Sequence, residues 1–217
     1  MQAQIVDGIF YILVLIMSVV VHEVAHGYVA YLLGDNTARD RGRLTLNPIP
    51  HLDPFGSVIL PLLLYFSTHG GFLVGWAKPV PYNPDNLKNI RKGTFLISIA
   101  GIAANVFIAV IFGLLIRFAP ALGISPIVAS TGAISPFYKI ASIIVSLNLI
   151  LAVFNIIPIP PLDGSKILFS SLPYKYRNIE VFFEKYGILL LLFFIIFLWN
   201  KIAPIMFFLF SLLTGIH

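Results

Sequence analysis

Val20-Val21-His22-Glu23-Val24-Ala25-His26-Gly27 lies within an apolar run that extends from Ile5 to Leu33. Two histidines four residues apart fall on one face of a helix, and Glu23 follows His22 directly. This spacing suits two imidazoles on one zinc ion, with a carboxylate beside the water of the metal. An acidic or basic side chain near the centre of a membrane helix costs at least roughly 2.5–3.5 kcal/mol. Three ionisable groups in this run therefore indicate a functional site.

The composition is that of an integral membrane protein. The 217 residues are 59% hydrophobic and 11% charged, whereas a soluble domain carries about 25% charged residues. Mean hydropathy is +0.95, and several apolar runs approach or exceed the roughly 20 residues that cross a bilayer as a helix. We expect a multi-pass protein of the cell membrane with a single membrane-embedded domain over residues 1–217. Its core is expected at residues 5–170, followed by a C-terminal helical segment at 171–217.

The polar residues limit the metal ligands and the partners. The chain has no cysteine, which excludes disulfides and thiolate sites and leaves His, Asp, Glu, Asn and backbone oxygen as metal ligands. The net charge is +5, and the 14 Lys and Arg residues are spread over loops. The positive-inside rule and contact with anionic headgroups explain these cations better than nucleic acid does. We expect the lipid bilayer, and no nucleic acid, as a partner.

The basic residues also predict the orientation of the first helix. The loop at residues 39–43 carries three arginines, whereas residues 1–4 carry no basic side chain, so the N-terminus is predicted outside and the loop in the cytoplasm. At 1.5 Å per residue, His26 would lie about 10 Å from the Leu33 end and His22 about 16 Å. The motif is therefore expected within the bilayer, nearer the cytoplasmic side.

Two further spanning helices are predicted, at Thr94–Phe118 and at Tyr138–Ile157. A last apolar stretch begins at Tyr186 and continues to Leu213. Asn200, Lys201 and Pro204 interrupt it, so that one kinked helix and a pair of helices are both compatible with the pattern.

The segment after the first helix is expected to be irregular. Phe55–Thr68 is apolar but short, and a full crossing would place the following lysines outside, so we favour a re-entrant path. Irregular backbone at membrane depth is tolerated where it is buried in protein or lines a cavity. Gly71–Trp76 reads as a short strand that could pair with an extended substrate. The expected fold is an all-α polytopic bundle of about five to six transmembrane helices with a re-entrant segment and a short β-strand or hairpin.

The third metal ligand has two contenders. A peptidase zinc needs three protein ligands and an open position. Asp163 follows a helix that is predicted to descend to the cytoplasmic side, and the prolines before it break that helix, so its depth should match that of His26. Asp53 is the rival because Asn47-Pro48-Ile49-Pro50-His51-Leu52-Asp53 echoes the later pattern, but it lies in a charged loop. We favour Asp163.

The two motifs together resemble those of the site-2 protease family of intramembrane zinc metalloproteases, in its small bacterial or archaeal form without a PDZ or CBS domain. That family pairs HExxH in one core helix with an NxxPxPxLDG-type motif at the end of another. Here the second motif reads Asn155-Ile156-Ile157-Pro158-Ile159-Pro160-Pro161-Leu162-Asp163-Gly164. The resemblance implies one zinc ion bound by His22, His26 and Asp163. It also implies Glu23 as the general base and Asn155 as a group that holds the substrate carbonyl or the oxyanion.

The resemblance extends over about Ile5 to Ser170 and has one departure. The middle core helix of the family often carries a Gly-Pro-x-x-Asn-like motif, and the proline is absent from Gly101-Ile102-Ala103-Ala104-Asn105. The implied function is hydrolysis of peptide bonds in or near transmembrane segments of a transmembrane protein substrate. The alternative is a zinc transporter or sensor that uses the same ligands without hydrolysis. A transporter usually shows inverted repeats or polar residues on several helices, and we see neither pattern in the sequence.

Overall fold

The computed structural model describes residues 2–60, 63, 67, 77–128 and 132–216, and within them the chain is mostly helical. The described part contains no named strand, only an isolated β-bridge between Ile127 and Ile134. The α-helices of the described ranges are α1 (Gln2–Leu32), α2 (Thr37–Asp40), α3 (Ile90–Phe118), α4 (Pro136–Asn155), α5 (Asp163–Ser171) and α6 (Arg177–Thr214).

Among the described residues, three helical stretches are long and apolar enough to cross a membrane. They are Gly8–Leu32 in α1, Ile90–Leu122 in α3 and the turn after it, and Pro136–Asn155 in α4. These are the three helices predicted from the sequence, and their observed ends lie within four residues of the predicted ones. The three predicted spanning helices are therefore confirmed as long apolar helices.

The last apolar stretch is one bent helix. The chain changes direction by 74° between Tyr174–Phe197, which includes the short 3-10 turn before α6, and Lys201–Thr214. Pro204 lacks the N–H that would bond the carbonyl of residue 200, and its ring crowds that carbonyl, so a bend is expected there. Counted as one span, the bent pair raises the number of candidate crossings among the described residues to four. The expected five to six are not confirmed in this part of the chain.

The irregular segment after α2 is described only in part. Pro54–Ile59 forms a π-helical turn, and the Asp53 carboxylate caps it by accepting a 2.6 Å hydrogen bond from the N–H of Gly56. Most of the predicted re-entrant segment Phe55–Thr68 beyond residue 60, and the whole predicted strand Gly71–Trp76, lie outside the described residues.

α3 is the central helix and contacts α1, α4, α5 and α6. Two glycines permit its close approach to its neighbours. A Cβ on Gly101 would lie 2.5 Å from Nε2 of His26, and a Cβ on Gly113 would lie 2.7 Å from Cβ of Leu213. Small residues at such contacts are how membrane helices pack tightly without a hydrophobic driving force.

Residues 77–83, which we call the 77–83 loop, are held against the C-terminal end of α1. The buried Asp35 carboxylate accepts hydrogen bonds from the N–H of Asn83 at 2.7 Å and from Nδ2 of Asn86 at 2.6 Å. Arg43 donates from Nη2 to the carbonyl of Lys78 at 2.6 Å. Because these contacts anchor the loop at both of its ends, it has a defined position beside the helix that carries the histidines.

Candidate metal centre

The structure brings together the three predicted ligands from two helices. His22 and His26 lie on consecutive turns of α1, and Asp163 is the first residue of α5. Oδ2 of Asp163 is 3.0 Å from Nε2 of His22 and 2.9 Å from Nε2 of His26, and the two Nε2 atoms are 3.0 Å apart. All three side chains are buried. The rival Asp53 is not part of this cluster, because its carboxylate caps the π-helical turn.

Asp163 reaches α1 because the turn between α4 and α5 is compact. A Cβ on Gly164 would collide with the backbone carbonyls of Ile156 and Ile157. On the other side of the turn, a Cβ on Gly187 of α6 would lie 2.5 Å from the carbonyl oxygen of Pro160. Glycine at both places lets backbone approach backbone, which a side chain would prevent. The prolines that end α4 therefore lead directly into the turn that directs Asp163 towards the histidines.

Asp163 is a carboxylate in this setting. Nζ of Lys166 lies 3.4 Å from Oδ1 of Asp163, and an opposite charge at this distance favours the ionised form of the carboxyl. The cluster thus offers a cation one negative charge and two imidazole nitrogens.

The outer nitrogen of each histidine faces a fixed polar atom. Nδ1 of His26 lies 2.7 Å from the carbonyl oxygen of Ile97, and Nδ1 of His22 lies 2.6 Å from Oδ1 of Asn105. A carbonyl oxygen can only accept, so Nδ1 of His26 carries the hydrogen and Nε2 of its neutral ring offers a lone pair to the cluster. Metal-ligating histidines almost always donate their other N–H in this way.

The donor set fits a zinc ion. Ligands at about 2.0–2.1 Å in a tetrahedron are separated from each other by roughly 3.3 Å, and the three donor atoms here lie 2.9–3.0 Å apart. A small outward shift of the side chains would bring them to that spacing. Lone pairs and a carboxylate oxygen at such distances repel each other unless a cation lies among them. Two imidazoles and one carboxylate are a ligand set of catalytic zinc sites.

A cavity of about 130 Å³ adjoins the cluster and has room for several waters. Glu23, Ser98, Asn155 and Lys166 line it together with the three cluster residues and part of the 77–83 loop. Oε2 of Glu23 accepts a 2.7 Å hydrogen bond from the N–H of Val80. Nδ2 of Asn155 donates to the carbonyl of Leu151 at 3.0 Å, which employs one of its two hydrogens.

Several polar groups at the site were not predicted from the sequence. Ser98 is buried, lines the cavity, and its hydroxyl has no hydrogen-bond partner among the described residues. Lys166 lies beside the non-clustered oxygen of Asp163. Asn148 of α4 is completely buried and bonded to Asn105. The signal for Asn148 was present in the sequence, since an amide within an apolar helix needs a partner in the bundle.

Comparison with known proteins places the chain among peptidases. A profile described as Peptidase family M50 matches residues 123–198, the part that contains Asn155 and Asp163. The chain is 39% identical over 196 residues to the Bacillus subtilis (strain 168) protein named "Putative zinc metalloprotease YwhC". The matched part is 90% of this chain and 81% of that protein. No solved structure matches the chain.

A second relative is more distant. The chain is 30% identical over 161 residues to the Mycolicibacterium smegmatis protein named "Putative zinc metalloprotease Rip2". The matched part is 72% of this chain and 56% of that protein. The chain thus spans little more than half the length of this relative.

Proposed function

Because the chain belongs to peptidase family M50, the site-2 protease family, we propose that it is a zinc metalloendopeptidase that hydrolyses peptide bonds in or near transmembrane segments. The observation that carries the proposal is the buried cluster in which Asp163, at the start of α5, meets His22 and His26 of the membrane-length helix α1, with Glu23 beside it. A solvated helix face would not explain this cluster, because its three donor atoms lie within hydrogen-bonding distance of one another in the interior.

Each residue of the site has a role in peptide hydrolysis. His22, His26 and Asp163 would hold the zinc ion. When bound, zinc acts as a Lewis acid and makes water nucleophilic near neutral pH. Glu23 takes the proton of the attacking water and returns it to the leaving amine. Its Oε2 is held by the N–H of Val80, which leaves Oε1 for the water.

The charge that develops on the substrate carbonyl needs donors at the cavity wall. Asn155 lines the cavity, and the second hydrogen of its Nδ2 can point towards an oxyanion. The ammonium of Lys166 lines the same cavity and adds positive charge there. Asn155 ends α4 and Lys166 lies in the first turn of α5, so the motif that supplies the third ligand also supplies Asn155, and Lys166 follows it directly.

The protein is proposed to lie in the cell membrane as one domain, with the site nearer the cytoplasmic side. The three arginines at residues 39–43 support this orientation through the positive-inside rule. A substrate helix must unwind before attack because its amides are otherwise hydrogen-bonded within the helix.

The test combines zinc content with proteolysis. The full chain is reconstituted in liposomes with a model transmembrane substrate, and wild type is compared with Glu23→Gln and with Glu184→Gln. Glu184 is an exposed acidic residue of α6 that does not line the cavity. Wild type and Glu184→Gln are expected to cleave. Glu23→Gln is expected to bind zinc equally and to lose roughly 10²–10⁴-fold in rate, the usual contribution of a general base.

Two outcomes contradict the proposal. Cleavage by Glu23→Gln at the wild-type rate would show that Glu23 is not the general base. Zinc flux across the liposome membrane without cleavage of the substrate supports the transporter instead.

A further inference from the structure

A chain of buried hydrogen bonds connects His22 to the interior of the bundle. Nδ1 of His22 lies 2.6 Å from Oδ1 of Asn105, and Nδ2 of Asn105 donates to Oδ1 of Asn148 at 2.8 Å. Nδ2 of Asn148 donates in turn to Oγ of Ser18 and to the carbonyl of Ile144, both at 2.9 Å. Both asparagines are completely buried. We call Asn105, Asn148 and Ser18 the amide relay.

The carbonyl of Ile144 determines the direction of every bond in the relay. It can only accept, so the atom of Asn148 that faces it must be the amide nitrogen, and the other atom must be Oδ1. Oδ1 of Asn148 accepts from Asn105, whose second amide hydrogen points to the carbonyl of Ser18 at 3.4 Å. Oδ1 of Asn105 therefore faces His22, and Nδ1 of His22 must be the donor.

The consequence concerns the nitrogen that faces the metal cluster. A neutral imidazole that carries its hydrogen on Nδ1 has its lone pair on Nε2, and Nε2 of His22 is the atom 3.0 Å from Asp163. His26 reaches the same tautomer through the backbone carbonyl of Ile97. A backbone atom cannot be removed by substitution, whereas the relay that controls His22 consists of side chains.

We propose that Asn105 and Asn148 are positioning residues that hold His22 in the tautomer and ring orientation that bind zinc through Nε2, an inference that rests on the proposed zinc site. Loss of the hydrogen-bond partner of a metal-ligating histidine typically weakens metal binding by about 10–100-fold. The ordinary alternative is that these amides only join α1, α3 and α4. Such interhelical hydrogen bonds affect stability and leave zinc affinity unchanged.

Zinc affinity separates the two explanations. The full chain is purified in detergent, stripped of zinc and titrated with Zn²⁺ against a chromophoric chelator. Asn105→Leu is expected to bind zinc about 10–100-fold more weakly. Asn105→Asp keeps an acceptor for His22, so its affinity is expected within about tenfold of wild type, between those of wild type and Asn105→Leu.

Thr214→Val is the matched control for the loss of a buried hydrogen bond elsewhere. Thr214 of α6 is buried and donates from Oγ1 to the carbonyl of Phe210 at 2.8 Å. This variant is expected to melt at a lower temperature with wild-type zinc affinity. If Asn105→Leu behaves in the same way, the relay joins helices and does not position the ligand.

A second measurement needs only wild-type protein. It therefore does not depend on whether Asn105→Leu folds. Nitrogen-15 spectra of histidine-labelled, zinc-loaded protein are expected to show the His22 hydrogen on Nδ1. Zinc bound through Nδ1 of His22 would overturn the inference while leaving the protease proposal intact. If wild type binds no zinc at all, the proposed function and this inference both fail.

Discussion

Oε2 of Glu23 accepts a 2.7 Å hydrogen bond from the backbone N–H of Val80. Val80 also packs against α1 at Gly27, one helical turn from Glu23, where an added Cβ would lie 2.8 Å from Cγ1 of Val80. Arg43 holds the adjacent carbonyl of Pro79 at 3.2 Å. The 77–83 loop therefore both lines the cavity and orients the carboxylate that we assign as the base.

Removal of this N–H should slow catalysis without removing zinc. Val80→Pro deletes the donor, whereas Val80→Ala keeps it and only shortens the side chain. A hydrogen bond to a charged group contributes about 1.5–3 kcal/mol, so Val80→Pro is expected to cleave the model substrate roughly 10- to 100-fold more slowly. Zinc content should stay at one ion per chain. Equal rates for the two variants would show that the amide does not orient Glu23.

An alanine at Gly101 is expected to weaken metal binding, whereas an alanine at Gly113 is not. A Cβ on Gly101 would lie 2.6 Å from Cε1 of His22, and one on Gly113 would meet Leu213 far from the cluster. Overpacking costs typically 1–3 kcal/mol, so both alanine variants should melt at lower temperature. Only Gly101→Ala should bind zinc more weakly in the chelator titration. Equal zinc affinities for the two variants would contradict the close approach of α3 to the histidines.

The Ser98 hydroxyl should not stabilise the fold of the protein without substrate. It is buried without a partner among the described residues, whereas Oγ of Ser165 donates to the carbonyl of Leu162 at 2.6 Å. Ser98→Ala is therefore expected to leave the melting temperature unchanged or to raise it. Ser165→Ala should lower the free energy of unfolding by about 1 kcal/mol. A similar loss of stability in both variants, measured by thermal unfolding in detergent, would show that Ser98 is already bonded.

The zinc-free protein should lose stability in acid as the carboxylate of Asp35 becomes protonated. Burial alone would raise the pKa of the Asp35 carboxyl, but hydrogen bonds from Thr37, Asn86 and Asn83 lower it below its usual value. A lowered pKa in the folded state stabilises the protein above the unfolded pKa of about 3.9, and that stability is lost as the pH falls towards the folded value. The melting temperature of the zinc-free wild type should therefore fall as the pH is lowered from about 5 to about 3.

Asp35→Asn provides the comparison for this effect. The variant should be less stable than wild type at pH 7, because an amide cannot accept all four hydrogen bonds that Thr37, Asn83 and Asn86 donate to the carboxylate. The difference between the two proteins should shrink as the pH falls. A difference that stays constant from pH 7 to pH 3 would show that Asp35 does not titrate with folding.

The three long helices were predictable because their signal is local. A run of apolar residues long enough to cross a bilayer must form a helix, since no water is present to bond its backbone. The sequence was compatible with one kinked helix or a pair of helices at the C-terminal end. The structure has a single helix, Arg177–Thr214, with a sharp bend within it. Asp163 could be favoured over Asp53 on depth and motif, but only the structure places its carboxylate 2.9 Å from His26.

The sequence by itself determines the membrane class and the helical register that places His22 and His26 on one face, because these follow from periodicity and hydropathy along a single segment. Tertiary structure alone decides which atoms complete the site. Asn105 and Asn148 are 43 residues apart, and Val80 meets Glu23 across 57 residues. Such contacts depend on how three helices and a loop pack together. Fully buried amides and carboxylates need partners, but local sequence does not specify which distant atom will be the partner.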